Sequence, residues 1–210
     1  MVASKVGPVS IEELIKKHSD VDPFLIKKWE RIFSLFFGKN ASHQVDWGDF
    51  YLVVKKVRDI YGAESVQTDF AKKSLAALWE GLCSIADADK DQLISIDEWI
   101  GLLKKSSEKT EPKCEKTEPK WFKDYQNFMF KLFDVSCDGV MDLAEYTDGM
   151  NTYGFDQFQC EAAFRKFSVD KKGQYVPTMK PETWNTYFHQ LFYSTNKSDL
   201  GNHLFGIVEF

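Results

Sequence analysis

The sequence predicts an all-α fold, with two lobes of paired helices folded into one compact unit. Three observations carry that prediction. Apolar residues recur at three- and four-residue spacing along most of the chain, as in Phe24, Leu25, Trp29, Ile32, Phe33 and Phe36. No comparable run alternates with a period of two, which leaves room only for very short strands. The halves on either side of a duplicated hexapeptide also contain segments that match each other. At 210 residues and 43% apolar, the chain can bury a sizeable core, and its 18 Phe, 8 Tyr and 6 Trp suit helices packed on helices.

The elements follow in order. Residues 1–23 read as an N-terminal extension with one short helix, opened by the capping box Ser10-Ile11-Glu12-Glu13. Asp22 then offers an N-cap acceptor ahead of Pro23, which suits a first helical position, and a helix runs on from Phe24. Further apolar stretches at Phe50 to Val57, Phe70 to Ile85 and Glu98 to Leu103 complete a first lobe over residues 24–103. Residues 104–120 differ: Lys104-Lys105-Ser106-Ser107 leads into EKTEPK at Glu108 to Lys113, then Cys114, then the same hexapeptide at Glu115 to Lys120. Prolines that break helices and mixed charges that stay solvated make this a flexible linker. A second lobe over residues 121–192 holds Trp121 to Phe133, Leu143 to Tyr153, Phe158 to Phe167 and Trp184 to Phe192. The tail, residues 193–210, ends in the apolar run Leu204 to Phe210, which is expected to pack between the lobes.

Composition narrows the function. Thirty-two acidic against twenty-seven basic residues give a net charge of −5, which disfavours nucleic acid as a partner and points toward cations. No run of eighteen apolar residues appears and Met1 to Ser10 lacks a signal-peptide pattern, so a cytoplasmic protein without integral membrane association is expected. Cys83, Cys114, Cys137 and Cys160 form no C-x-x-C pair and read as reduced thiols. His18, His43, His189 and His203 fall in unrelated contexts, with no zinc motif or nucleophile elbow around them.

Chemistry concentrates in two matching twelve-residue segments. Asp87 to Glu98 (DADKDQLISIDE) lies between an apolar stretch ending at Ile85 and another beginning at Trp99. Asp134 to Glu145 (DVSCDGVMDLAE) lies between Phe133 and Tyr146. Both follow the EF-hand calcium pattern, D-x-[DN]-x-[DN]-G-x5-E. A hard divalent ion wants six to eight oxygens, and a tightly turning loop aims its first, third and fifth side chains, the seventh carbonyl and the ninth residue inward. A glutamate at the twelfth position then closes the site with both carboxylate oxygens. The expected ligands are Asp87, Asp89, Asp91, the Leu93 carbonyl and Glu98, with Ser95 direct or through water. In the other loop they are Asp134, the Ser136 hydroxyl, Asp138, the Val140 carbonyl and Glu145, with Asp142 ninth. Two calcium ions are thus expected, with magnesium as a competitor.

Each loop departs once from the pattern. Gln92 replaces the glycine of the sharp turn, and a left-handed non-glycine residue costs about 1 kcal/mol, roughly fivefold in affinity. Ser136 offers a neutral oxygen where a carboxylate is commoner. Two degraded partners sit at similar offsets. Gly38 to Asp49 lacks the first carboxylate, has His43 in place of glycine and closes on the shorter Asp49, but keeps Val45 for a short pairing strand. Ser168 to Met179 has Lys172 fifth and Met179 twelfth, and keeps Gly173 and an apolar Tyr175. Neither is expected to hold calcium, and the latter reads as a brace for the loop before it. The full expectation is four EF-hand motifs in two paired lobes, with the second and third loops functional.

Val45-Asp46-Trp47 ahead of Asp49-Phe50, Leu78-Trp79-Glu80-Gly81-Leu82, Asn127-Phe128-Met129-Phe130 and the closing Gly201-Asn202-His203-Leu204-Phe205-Gly206 resemble the invertebrate sarcoplasmic calcium-binding protein family and its calexcitin-like members. The likeness runs from about Phe24 to Phe210, and the closing segment is its more specific part. It implies a compact all-α fold, a nonfunctional fourth hand and a monomeric cytosolic calcium buffer, or a sensor with a protein target. The first hand departs from the family, with fewer acidic oxygens. Juvenile hormone diol kinase resembles the same family and ends in a similar segment, so a calcium-regulated GTP-dependent phosphotransferase is the alternative. Asn196-Lys197-Ser198-Asp199 matches the guanine-reading N-K-x-D pattern and Asp170 to Gly173 matches D-x-x-G, but no G-x-x-x-x-G-K-[ST] loop accompanies them; Gly149 to Gly154 continues without the lysine.

Overall fold

The computed structural model describes residues 9–36, 44–87, 89–108, 119–151 and 153–209. Helices dominate, as the periodicity predicts. The first unit, Met1–Asp124, contains α1 (Ile11–Lys17), α2 (Pro23–Phe36), β1 (Gln44–Val45), α3 (Trp47–Tyr61), α4 (Val66–Ala86), β2 (Ile94–Ser95) and α5 (Ile96–Glu108). The second unit, Tyr125–Phe210, takes up α6 (Lys120–Phe133) from its sixth residue. It continues with β3 (Met141–Asp142), α7 (Leu143–Asn151), α8 (Gln157–Phe167), β4 (Thr178–Met179), α9 (Pro181–Tyr193) and a 3-10 turn over Leu200–His203.

Several helix starts are built by the expected chemistry. Ser10 accepts from the Glu13 N–H at 3.2 Å while Glu13 accepts from the Ser10 N–H at 2.9 Å, completing the capping box of α1. Asp46 and Asp49 do the same for α3, and Asp156 and Gln159 for α8. Such reciprocal bonds satisfy two of the four orphan N–H groups at a helix start. Helix α5 continues to Glu108, five residues past the end of its apolar pattern. The linker expected from residue 104 therefore starts as helix, and residues 109–118, with Cys114, lie outside the described residues. Cys83, Cys137 and Cys160 are free.

Each unit is organised round a buried tryptophan. In the first, Trp99 of α5 donates its indole N–H to the Trp29 carbonyl of α2 at 3.1 Å, and both rings are buried. In the second, Trp184 of α9 makes the equivalent bond to the Gln126 carbonyl of α6 at 3.1 Å. A buried indole N–H needs such a partner, and a helix carbonyl has a spare lone pair to offer. Short strands complete each unit. β1 pairs antiparallel with β2 through Val45 opposite Ile94, and β3 with β4 through Met141 opposite Met179.

This second register corrects the sequence reading. Tyr175 holds the place of Val45 by count, but it bridges to Val169 instead, and the pairing residue is Met179, four residues on. The physical reason is a hairpin inside the fourth loop. The Val176 N–H donates to the Ser168 carbonyl at 2.8 Å and the Ser168 hydroxyl donates to the Val176 carbonyl at 2.7 Å, which absorbs the extra residues.

The tail has its place inside the second unit. Leu204 and Phe205 are fully buried. The Phe205 ring lies 5.8 Å from Trp184 and 6.3 Å from both Phe133 and Phe188. Tyr146 donates to the Leu204 carbonyl at 3.0 Å. Gly201 admits this arrangement, because a Cβ there would stand 2.3 Å from the Tyr187 carbonyl oxygen. Asn202, fully buried, donates to the carbonyls of Asn196 and Lys197 at 3.0 and 3.2 Å. The closing Gly-Asn-x-x-Phe-Gly segment is thus a packing device for the second unit's core.

Candidate metal centre

The first loop of interest begins where α4 ends. Asp87 is the C-cap of that helix, and its carboxylate turns back to accept from the Asp91 N–H at 3.2 Å and the Gln92 N–H at 3.1 Å. Asp89 accepts from the same Asp91 N–H at 3.3 Å, and Asp91 accepts from the Leu93 N–H at 2.8 Å. These bonds curl the chain so that one oxygen each from Asp87, Asp89 and Asp91 lies within 4.8 Å of the others. Glu98, on the first turn of α5, accepts from the Ser95 N–H at 2.9 Å and the Ser95 hydroxyl at 2.8 Å. The Asp91 N–H bond draws the Asp89 carboxyl down, yet desolvation and the charges of Asp91 and Glu98 leave it raised above the ordinary carboxylate range.

The second loop joins α6 to α7 and repeats the design. Asp134 Oδ2 accepts from the Gly139 N–H at 3.2 Å, and Asp138 accepts from the Val140 N–H at 2.9 Å. Glu145 spans the loop, taking the Ser136 N–H on one oxygen at 2.9 Å and the Asp142 N–H on the other at 3.1 Å. Asp142 in turn accepts from the Glu145 N–H at 2.9 Å. Burial raises the Asp134 carboxyl above its usual range; the Gly139 bond opposes this, and the charges of Glu145 and Asp138 add to it. Its Oδ1 is buried with no hydrogen-bond partner. A buried carboxylate oxygen without a donor is costly unless a cation is its partner. An oxygen-only set of this charge fits a hard divalent ion.

The two loops share a backbone trace. Gln92 and Gly139, both sixth, have φ of 62° and 86°. Lys90 and Cys137, both fourth, are also left-handed, at 60° and 59°. The sixth position is legible from its glycine in one loop; the fourth carries no glycine or asparagine to signal it. Leu93 and Val140 each stand one residue before a short strand, β2 or β3.

The degraded loops spend their polar groups differently. Gly38 to His43 lie outside the described residues, but Asp49, twelfth in that frame, is nearly buried and caps α3 with its carboxylate. In the fourth loop Asp170 accepts from the Lys172 and Gln174 N–H groups at 2.7 and 2.9 Å. Asn196 and Asp199 bond to each other at 2.7 Å, and Asn196 also accepts from the Ser198 N–H at 3.1 Å, so the N-K-x-D segment folds as a self-bonded turn.

No protein-family model matches the chain. It is 86% identical over 210 residues to Calexcitin-1 of Caenorhabditis elegans, covering 100% of both chains. The chain belongs to the calexcitin family. Sarcoplasmic calcium-binding proteins I, III and IV of Branchiostoma lanceolatum are 27% identical over 190 residues, which is 89% of this calexcitin-family chain and 98% of theirs. The solved structure of a sarcoplasmic calcium-binding protein from amphioxus has a similar fold, with a TM-score of 0.72 at 21% identity, over 90% of this chain and 100% of that one. Among the described residues no helix is long and apolar enough to cross a membrane.

Proposed function

We propose that the chain binds two calcium ions and works as a cytoplasmic calcium buffer or limited-motion switch. One ion would be held by Asp87, Asp89, Asp91, the Leu93 carbonyl and Glu98, and the other by Asp134, Ser136, the Val140 carbonyl, Asp138 and Glu145. The observation that carries the reading is the convergence of the Asp87, Asp89 and Asp91 carboxylates within 4.8 Å, which costs Coulomb energy unless a cation enters. The strand pairs β1–β2 and β3–β4 support four helix–loop–helix motifs taken two by two, with the first and fourth braces rather than sites. The names of the relatives, sarcoplasmic calcium-binding proteins, agree with this.

A buffer is favoured over an opening sensor because Met129, Met141, Met150 and Met179, the flexible residues that line a sensor's groove, are all buried. The self-bonded Asn196–Asp199 turn favours calcium over a guanine nucleotide as the ligand. Calorimetric titration of calcium into chelator-stripped protein tests the reading. Two sites are expected, with Glu98→Gln and Glu145→Gln each leaving one strong site; no saturable heat from the parent would overturn it. Titrating Mg·GTP into the calcium-loaded protein should give no saturable heat.

A further inference from the structure

The N-terminal helix has no part in either loop, yet it is fastened to the exit helix of one of them. Helix α1 packs on α2, with Leu14 fully buried and Val21 nearly so. From that seat three polar side chains reach α5. Lys17 Nζ pairs with Asp97 Oδ2 at 2.7 Å, and His18 Nε2 bonds to the other oxygen, Oδ1, at 2.8 Å. Asp20 pairs with Lys104. Asp97 and Lys104 are seven residues apart, so they share a face of α5 about 10 Å apart along its axis. Two fixed points on a rod set its direction as well as its position. The opposite face of α5 carries Trp99 and Leu102, both buried.

The first of those points sits beside the loop. Asp97 directly precedes Glu98, so the contact fixes the turn of α5 that carries the closing glutamate. A calcium sensor opens by swinging its exit helix against its entry helix. Here that swing would have to break the bonds at Asp97 and Lys104 together, or lift Leu14 out of the core. Exposed ion pairs are individually weak. Joined through one buried anchor, they act as a unit.

We propose that residues 10–21 are an intramolecular clasp that fixes α5 against α2 and thereby suppresses calcium-driven opening of the first unit. The clasp itself stands on the contacts alone, while its effect on opening rests on the calcium reading above. It would make the N-terminal segment the built-in regulator of how far the chain behaves as a buffer.

The test uses full-length protein and the double variant Lys17→Gln/His18→Gln, which leaves Leu14, Asp97 and both loops intact. In chelator, amide hydrogen exchange of Ile96 to Leu103 should quicken by about tenfold in the variant, with the second unit unchanged. In calcium, the variant should bind an apolar-surface dye severalfold more strongly than the parent. Unchanged exchange in α5 would overturn the clasp. Faster exchange with no rise in dye binding, while calorimetry shows both sites filled, would overturn its effect on opening. Absence of calcium heat in the parent would instead sink the calcium reading, and exchange in chelator would still judge the clasp. Asp20→Asn, which releases only the distal point, gives the same readout if the double variant fails to fold; its expected effect is smaller and centred on Leu102 to Lys104.

Discussion

The third and fourth loops stand side by side in one unit, joined by β3 and β4, and they close their turns in opposite ways. In the third, Asp134 keeps one buried oxygen without a donor and Glu145 reaches across from the far end. In the fourth, Asp170 spends a single oxygen on two backbone N–H groups, and the Asp170 N–H donates to the Gln174 carbonyl at 2.8 Å. Arg165 covers the hairpin by lying over the Tyr175 ring at 5.0 Å. The fourth loop is thus complete from the chain's own atoms, while the third leaves one buried carboxylate oxygen, Asp134 Oδ1, without a donor. A loop that departs from the calcium pattern can be a finished hydrogen-bonded turn, and such a turn would brace its neighbour whether or not an ion is present.

The largest break in this comparison should come from Glu145→Gln. It removes the carboxylate that closes the third loop, and the affinity of that site should fall by about 100-fold or more. The fourth loop should not respond: β4 amide exchange in chelator is expected to match the parent. Collapse of β4 protection in the stripped variant would show that Glu145 supports the fold as well as the ion.

Asp134→Asn tests the same contrast through pH. The raised carboxyl means that folded protein holds this proton in a window above pH 3.8 where the unfolded chain has lost it. Metal-free stability from this group is therefore fullest below that window and falls as pH rises through the folded value. The variant should melt higher than the parent in chelator near neutral pH, with the gap closing toward about pH 4. In calcium the order should reverse, because the variant loses a ligand. Asp97 runs the other way. Desolvation pushes its carboxyl up, but the bonds from Lys17 and His18 outweigh it and leave the carboxyl lowered, so its contribution is present above 3.8 and lost as pH falls through the folded value.

Asp170→Ala makes the fourth loop the target. Two N–H groups lose their acceptor in an exposed turn, which should cost about 1 kcal/mol, or roughly 2–4 °C in melting temperature. The loss should be equal in chelator and in calcium. A loss confined to calcium would mean that the fourth loop holds an ion after all.

Much of this was legible because helical periodicity and the spacing of acidic side chains are local in sequence. The three- and four-residue spacing located eight of the nine helices among the described residues and a capping box the other, and a shared twelve-residue pattern of oxygen-bearing side chains marked both loops. What stayed hidden depended on partners distant in sequence. Tyr175 by count should pair, but the hairpin shifts Met179 into its place. Phe158 opens the apolar stretch read for α8 and is nonetheless 81% exposed, because it lies on the side of the helix opposite the buried Cys160, Ala163, Phe164 and Phe167. Nothing near Asp97 announces Lys17 and His18, about eighty residues earlier. The closing Gly201-Asn202 pair could be recognised as a family signature, but its reason, close approach to α9 and a buried amide, needs the fold.

The smallest effect sharpens the comparison at a single dihedral angle. The sixth positions of the second, third and fourth loops are Gln92, Gly139 and Gly173, with φ of 62°, 86° and 75°. Only Gln92 carries a Cβ into that region, at a cost of about 1 kcal/mol. The sequence suggests that this cost falls on calcium affinity. The structure holds the turn by the chain's own bonds, Gln92 N–H to Asp87 and Leu93 N–H to Asp91, so the strain belongs to folding instead. Gln92→Gly should therefore raise the melting temperature in chelator by at most about 2–4 °C, partly offset by glycine's greater freedom when unfolded. Calcium affinity of that loop should change by less than about twofold. A gain near fivefold in affinity, with an unchanged melt in chelator, would place the strain in ion binding and make the turn itself something the cation imposes.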